Sequence, residues 1–86
     1  MKIRHILVEQ RYEAEDILRL LQQGQSFETL AQKFSQCSSA GSGGDLSDIP
    51  LGRLDESFRE AAELLKVGEI SPIVRTRFGY HLIQRF

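Results

Sequence analysis

Residues 79–83 read GYHLI, and near the other end of the chain residues 4–8 read RHILV. These two stretches hold the only histidines, His81 and His5, and each histidine stands within an apolar run. Short apolar runs of this kind, rich in β-branched residues, are typical of buried strands. The sequence therefore predicts a strand near each end of the chain, with both titratable imidazoles in the core.

The rest of the chain alternates helical and extended patterns. Three segments place apolar residues at helical spacing: residues 11–23, 26–34 and 55–68. Four segments favour strands: residues 2–8, 46–49, 70–75 and 80–86. The first strand is apolar on both faces and is predicted to be central, whereas Pro72 favours an edge or a bulge for the third. The order β-α-α-β-α-β-β predicts an α+β fold with a four-stranded, mainly antiparallel sheet.

Length and composition narrow the class of protein. Eighty-six residues suffice for one domain, residues 1–86, with one modest core. A net charge of −1 with interspersed signs argues against nucleic-acid binding, and the single cysteine excludes an internal disulfide. The sequence shows neither an apolar run that would cross a membrane nor a signal-peptide pattern. We therefore expect a cytoplasmic protein, or a domain excised from an exported or membrane-anchored one.

Residues 35–45, SQCSSAGSGGD, are small and polar and predict a loop. Its glycine cluster lacks the Lys-Ser/Thr pair of a phosphate-binding loop. Cys37 within it has three interpretations: a nucleophile served by a histidine, a zinc ligand together with His5 and His81, or a partly buried structural thiol. If the first and last strands pair, the two imidazoles can bond to each other, with Cys37 or Thr76 completing the chain of hydrogen bonds.

Five segments, in this order, carry a resemblance to a known family: HILV at 5–8, FETLAQKFSQCSSAGSGGDL at 27–46, LGRLDESF at 51–58, VGEISPIV at 67–74 and TRFGYHLI at 76–83. Together they resemble the parvulin family of peptidyl-prolyl cis/trans isomerases. The resemblance implies a four-stranded sheet surrounded by three to four helices. It also implies isomerisation of Xaa-Pro bonds in flexible or unfolded proteins, by a monomer that needs no cofactor or metal.

The resemblance also assigns residues to the site. His5 and His81 match the family's paired histidines, Cys37 its active-site cysteine, where other members carry Asp, and Thr76 the hydroxyl residue of the histidine network. The residues that match the proline pocket and its rim are Leu46, Leu54, Phe58, Phe78 and Ile49. Ser47, Ile49 and Leu54 stand where the family commonly has glycine, an aromatic residue and methionine. Residues 9–12 lack the basic cluster of phosphate-directed members, so no preference for phosphorylated Ser/Thr-Pro is expected.

Two mechanisms and two functions follow as expectations. Rotation about the amide needs no covalent bond, so Cys37 is expected to act without attacking the substrate, with the imidazole pair as its support. Covalent attack by Cys37 is the alternative mechanism. The alternative function is a catalytically weak peptide-binding module of a larger foldase.

Overall fold

The computed structural model describes all 86 residues. The elements, in chain order, are β1 (Ile3–Val8), α1 (Arg11–Gln22), α2 (Phe27–Phe34), α3 (Glu56–Glu63), β2 (Val74–Thr76) and β3 (Gly79–Arg85), with short 3-10 helices at Ser38–Ser42 and Leu51–Arg53. The three predicted helices are therefore confirmed. Ser26 caps α2 by accepting from the Thr29 N–H, and Asp55 caps α3.

The third helix is shorter than its apolar pattern predicts. It ends at Glu63, and Leu64 at its C-cap is among the exposed apolar residues. Gly68, which was expected to end the helix, instead lies in a later turn with a φ of +92°.

The sheet has three strands in the order β1-β3-β2, and both pairs are antiparallel. The predicted four-stranded sheet with β1 at its centre is wrong, because β3 is central. Residues 46–49 form no strand, since the chain turns there: the Ser47 N–H donates to Asp45 Oδ1 at 2.8 Å and the Ile49 N–H to the Leu46 oxygen at 2.9 Å. The contact with the sheet nearest to this segment is an isolated antiparallel bridge between Arg4 and Asp45.

Strand β2 is also shorter than residues 70–75 suggest. It begins at Val74, and Ile70 makes only an isolated bridge to Gln84. Pro72 lies between these contacts and has no N–H to donate to a ladder. The edge position that this proline predicted is confirmed.

A loop segment covers the outer edge of β1. The His5 N–H donates to the Gly44 oxygen at 2.9 Å, and the Leu46 N–H donates to the Ile3 oxygen at 2.9 Å. These bonds replace a regular fourth strand and satisfy the edge of β1. β1 is apolar on both faces because α1 and α2 pack on one face of the sheet and α3 packs on the other.

The core consists of two clusters, one on each face of the sheet. Helices α1 and α2 pack on one face, against the cluster Ile6, Val8, Ala14, Ile17, Phe27, Leu30, Ala31 and Leu82. Helix α3 packs on the opposite face, in the cluster Ile3, Leu46, Phe58, Ala62, Leu65 and Ile83. His5 and His81 belong to the α3 face, because they alternate with the residues that point toward α1 and α2.

Candidate active site

The register of the sheet brings His5, His81 and Thr76 together on the α3 face. In β3, His81 lies opposite Leu7 of β1 and Val74 of β2. His5 pairs with Ile83, two residues beyond His81, and Thr76 pairs with Gly79, two residues before it. Residues two apart on a strand share a face, so His5 and Thr76 are diagonal neighbours of His81 on opposite sides. Each of the three strands therefore contributes one polar side chain to a single row.

Hydrogen bonds join this row into a chain. The Nδ1 atoms of His5 and His81 lie 3.1 Å apart, and His81 Nε2 lies 2.7 Å from Thr76 Oγ1. The Phe78 N–H donates to the same threonine oxygen at 3.2 Å. The prediction that the rings bond to each other is confirmed, and Thr76, not Cys37, completes the chain.

Burial keeps both imidazoles neutral at pH 7. Burial, and to a smaller extent the charge on His81, lower the pKa of His5 from 6.5 to about 4. Burial also lowers the pKa of His81 from 6.5 to about 4, although the Asp55 carboxylate opposes this shift. The Phe58 ring meets both imidazoles edge-on, at centroid distances of 5.3 Å and 5.1 Å. The pair is therefore enclosed by an aromatic wall instead of water.

A pocket opens beside this pair on the α3 face. Its volume is about 230 Å³, and its lining residues are His5, Leu7, Cys37, Leu46, Ile49, Arg53, Leu54, Asp55, Phe58, Phe78 and His81. An apolar cavity of about 150 Å³ already admits a benzene molecule. The pocket is thus large enough for a proline ring.

The structure places eight of the nine residues singled out from the sequence on the pocket wall, and the ninth, Thr76, contacts His81. Sequence reasoning missed Leu7, Arg53 and Asp55 as lining residues. Leu7 could have been predicted, because it lies two residues after His5 and therefore on the same face of the predicted strand. Asp55 was predicted only as the first residue of the third helical segment, and Arg53 had no signal except its position next to Leu54.

Cys37 is held beside β1 by the backbone of its loop. The Ser35 hydroxyl oxygen accepts from the Leu7 N–H at 3.0 Å and from the Cys37 N–H at 3.4 Å. The Gln36 N–H donates to the Leu7 oxygen at 2.7 Å. These bonds fix the start of the loop on β1 and bring the thiol to the pocket.

No hydrogen bond joins the Cys37 thiol to either imidazole. His81 uses both ring nitrogens with His5 and Thr76, and His5 Nε2 is buried without a partner. The imidazole pair therefore holds the thiol by no direct hydrogen bond. The zinc alternative fails as well, because no three His, Cys, Asp or Glu side chains are grouped to hold a metal.

The Thr76 hydroxyl is expected to stabilise the folded domain through the histidine chain. Replacing it in Thr76→Val leaves His81 Nε2 and the Phe78 N–H without their shared partner, so the free energy of unfolding should fall by about 1–3 kcal/mol. Thr76→Ser keeps the hydroxyl and should recover most of that loss. Urea unfolding of the three proteins measures the difference, and equal losses in both variants would contradict the role of the hydroxyl.

The fold and the site define a class of protein. The sequence matches the family model for the rotamase, or PPIC-type peptidyl-prolyl isomerase, domain over residues 5–86. The chain belongs to this family and is a peptidyl-prolyl cis/trans isomerase domain of the parvulin type.

Three known proteins are similar to this chain. The foldase protein PrsA of Bacillus subtilis is 46% identical over 82 residues, which are 94% of this chain and 28% of PrsA. The peptidyl-prolyl cis-trans isomerase Pin1 of Digitalis lanata is 50% identical over 66 residues, covering 77% of this chain and 56% of that protein. The solution structure of NmPin, the parvulin of Nitrosopumilus maritimus, superposes with a TM-score of 0.87 at 39% identity, covering 100% of this chain and 94% of that one. The chain thus spans nearly the whole of the NmPin structure but less than a third of the length of PrsA.

Proposed function

We propose that the domain accelerates rotation about Xaa-Pro bonds without forming a covalent bond to the substrate. The observation that carries this proposal is the apolar pocket bordered by two neutral, mutually bonded histidines. Amide resonance creates a rotation barrier of about 18–20 kcal/mol. A site that removes water from the amide and binds the twisted form better than the planar forms lowers this barrier.

The side chains that form the wall of the pocket are buried, whereas those at its rim are exposed to solvent. Leu46 is 5% exposed and Phe58 is 3% exposed, since both belong to the α3 core cluster, against which Leu54 also packs. These three side chains would hold the proline ring. On the rim, Phe78 is 60% exposed and Ile49 is 41% exposed. Their apolar surface supports peptide binding, because covering it with substrate stabilises the complex by about 25 cal/mol per Å².

The histidine chain would preserve the shape of the pocket. Bonds to Thr76 and to each other hold the two rings, and Phe58 packs on both. We assign His5 and His81 a positioning role, in which they keep a dry, rigid wall next to the reacting amide. Neither imidazole needs to transfer a proton for the amide to rotate.

Cys37 is proposed to contribute a wall of the pocket and a weak dipole, not a nucleophile. Cys37→Asp should therefore retain activity within about tenfold of the wild type, and Cys37→Ser should do the same, because neither change removes a reacting atom. Isomerisation of a proline peptide, followed by NMR exchange between cis and trans signals, measures both variants. Loss of activity in both, together with a trappable adduct at the thiol, would favour covalent attack.

The same NMR measurement separates the isomerase from a domain that only binds peptides. The isomerase should bind a proline peptide and increase the exchange rate between its cis and trans signals. Binding with no increase would support the alternative function, a peptide-binding module of a larger foldase. This alternative is supported by the longer relative, which is named foldase protein PrsA.

We propose that the partners are proline-containing peptides and unfolded protein clients, bound by a monomeric domain of residues 1–86 without nucleic acid. No helix in the structure combines the length and the apolar character that a membrane span requires. A cytoplasmic protein and one domain of a longer foldase both fit these features, and the second is supported by the length of PrsA.

A further inference from the structure

A groove lies between α1 and α2, on the face of the sheet opposite to the proline pocket. Its volume is about 220 Å³, and its lining residues are Glu13, Asp16, Ile17, Leu20 and Phe34. None of these residues lines the proline pocket. An apolar cavity of about 150 Å³ admits a benzene molecule, so the groove has room for one leucine or phenylalanine side chain.

Helical spacing explains the lining of the groove. The four residues from α1, at positions 13, 16, 17 and 20, follow the i, i+3, i+4, i+7 pattern and share one side of that helix. Phe34, the last residue of α2, forms the opposite wall, and 46% of its surface is exposed. Ile17 is buried, at 3% exposure. The groove therefore has an apolar base and an aromatic wall that the fold leaves half uncovered.

The charge of the groove is negative. Glu13 makes no ion pair, and its Oε1 accepts from the Gln10 N–H at 3.0 Å. Asp16 Oδ1 lies 3.1 Å from a guanidinium nitrogen of Arg19, in a pair that is exposed on both sides and therefore weak. Neither Arg19 nor Lys33 of α2 lines the groove. A cation brought beside the apolar base would thus meet two carboxylates.

The groove and the proline pocket are joined by a short stretch of backbone. Phe34 lines the groove and Cys37 lines the pocket, and three extended residues span at most about 11 Å. The stretch is fixed on β1, because the Gln36 N–H donates to the Leu7 oxygen at 2.7 Å. The domain measures 31 × 25 × 23 Å, and about eight residues of extended peptide span about 26 Å. One client chain can therefore reach both sites.

We propose that the groove holds a bulky apolar side chain of the client next to a lysine or arginine, while the proline of the same client occupies the pocket. The proposal rests on the proposed function, which supplies the client. The apolar side chain would cover Phe34 and Ile17, and the cation would pair with Glu13 and Asp16. Once the proline is bound, the second contact is intramolecular, so it raises affinity when the connecting peptide can span the two sites.

The test compares three peptides, each with one proline, a spacer of about eight glycine and serine residues, and a pair of residues at one end. The pairs are Leu-Lys, Leu-Glu and Ala-Gln, placed before the proline in one series and after it in another. In one of the two series we expect the Kd of the Leu-Lys peptide to be about fivefold to tenfold lower than that of the Ala-Gln peptide. The Leu-Glu peptide should bind less tightly than the Leu-Lys peptide. A spacer of about two residues should remove the difference, because it cannot span the two sites.

NMR titration of the domain gives the Kd and locates the contact. The backbone amide signals of Leu20 and Phe34 should shift with the Leu-Lys peptide and not with the Ala-Gln peptide. The rate of exchange between cis and trans signals at saturation should be equal for the three peptides, because the groove does not contact the rotating amide.

Variants of the groove test the charge and the apolar wall separately. Glu13→Gln with Asp16→Asn should raise the Kd of the Leu-Lys peptide by about threefold to fivefold and leave that of the Ala-Gln peptide unchanged. Glutamine at position 13 can still complete the capping box of α1, so the helix should persist. Phe34→Ala removes the aromatic wall and should weaken the binding of the Leu-Lys and Leu-Glu peptides alike.

The matched control is Glu15→Gln with Glu63→Gln. It changes the net charge by the same amount, but these glutamates pair with Arg11 and Arg59 on their own helices and do not line the groove. It should keep the wild-type order of the three peptides. An equal rise in Kd in both double variants would reduce the effect to net charge and overturn the proposal.

The remaining outcomes separate the groove from the proposed function. Equal Kd values for the three peptides in both series, with accelerated exchange, would overturn the groove and leave the isomerase intact. Binding with no acceleration of any peptide would overturn the isomerase itself. A Leu-Lys peptide that lacks proline but binds as tightly as the full peptide would identify a docking site for another protein segment and overturn the assignment to the client.

Discussion

Lowering the pH from 7 to 5 is expected to reduce the free energy of unfolding by about 2 kcal/mol for each of the two buried histidines. In the folded protein their pKa values are lowered to about 4, whereas exposure on unfolding restores the ordinary value of 6.5. The unfolded chain therefore takes up protons between pH 6.5 and pH 4 while the folded chain does not. The stability that the neutral pair provides is complete above pH 6.5 and is lost as the pH falls toward 4.

Urea unfolding at several pH values between 7 and 5 measures this loss. Asp45, whose pKa is lowered by its bonds to Ser47, affects stability only at more acidic pH. NMR titration of the ring protons of His5 and His81 gives a second measurement on the wild-type protein. A flat stability between pH 7 and 5, or ring signals that titrate near pH 6.5 in the folded state, would contradict the neutral buried pair.

Replacing Gly44 by alanine is expected to cost about 3 kcal/mol or more of folding free energy. Gly44 has a φ of +84°, and a Cβ there would overlap the carbonyl oxygen of His5. The backbone cannot simply move away, because the Gly44 oxygen accepts from the His5 N–H and Gly44 donates to the Ser39 oxygen at 2.9 Å. The same displacement would open the edge of β1 and move the loop that carries Cys37, so activity should fall together with stability.

Gly41 provides the matched control in the same loop. Its φ lies outside the left-handed region, and a Cβ there would have no atom within 4 Å. Gly41→Ala should therefore change the free energy of unfolding by less than about 0.5 kcal/mol. Thermal or urea unfolding of the two variants at pH 7 decides the matter, and equal losses in both would mean that the close approach at β1 is unimportant.

Much of the site was predictable because the residue types themselves limit their positions. Two histidines in apolar runs predict burial, and two buried imidazoles need partners for their ring nitrogens. The apolar spacing that defines α3 places Phe58 on its buried side. The resemblance to parvulins then assigned the lining residues from Cys37 to Phe78 by position.

The prediction of a fourth strand at residues 46–49 was wrong for a local reason. Residues 46–49 have the apolar content of a short strand, but the Asp45 side chain accepts from the Ser47 N–H and turns the chain. Pattern alone did not reveal this competition between a side chain and a ladder bond. It also did not reveal that the glycines before Asp45 allow the loop to cover β1 in place of a strand.

By itself the sequence determined the α+β class, the three helices, the burial of both histidines and the family. These features depend on spacing within short segments, and such spacing is visible along the chain. Only the tertiary structure decided that β3 is central, that His81 bonds to Thr76 and not to Cys37, and that Arg53 and Asp55 reach the pocket. Those outcomes depend on strand register and on the path of a loop, where a shift of one residue moves every side chain to the opposite face of the sheet.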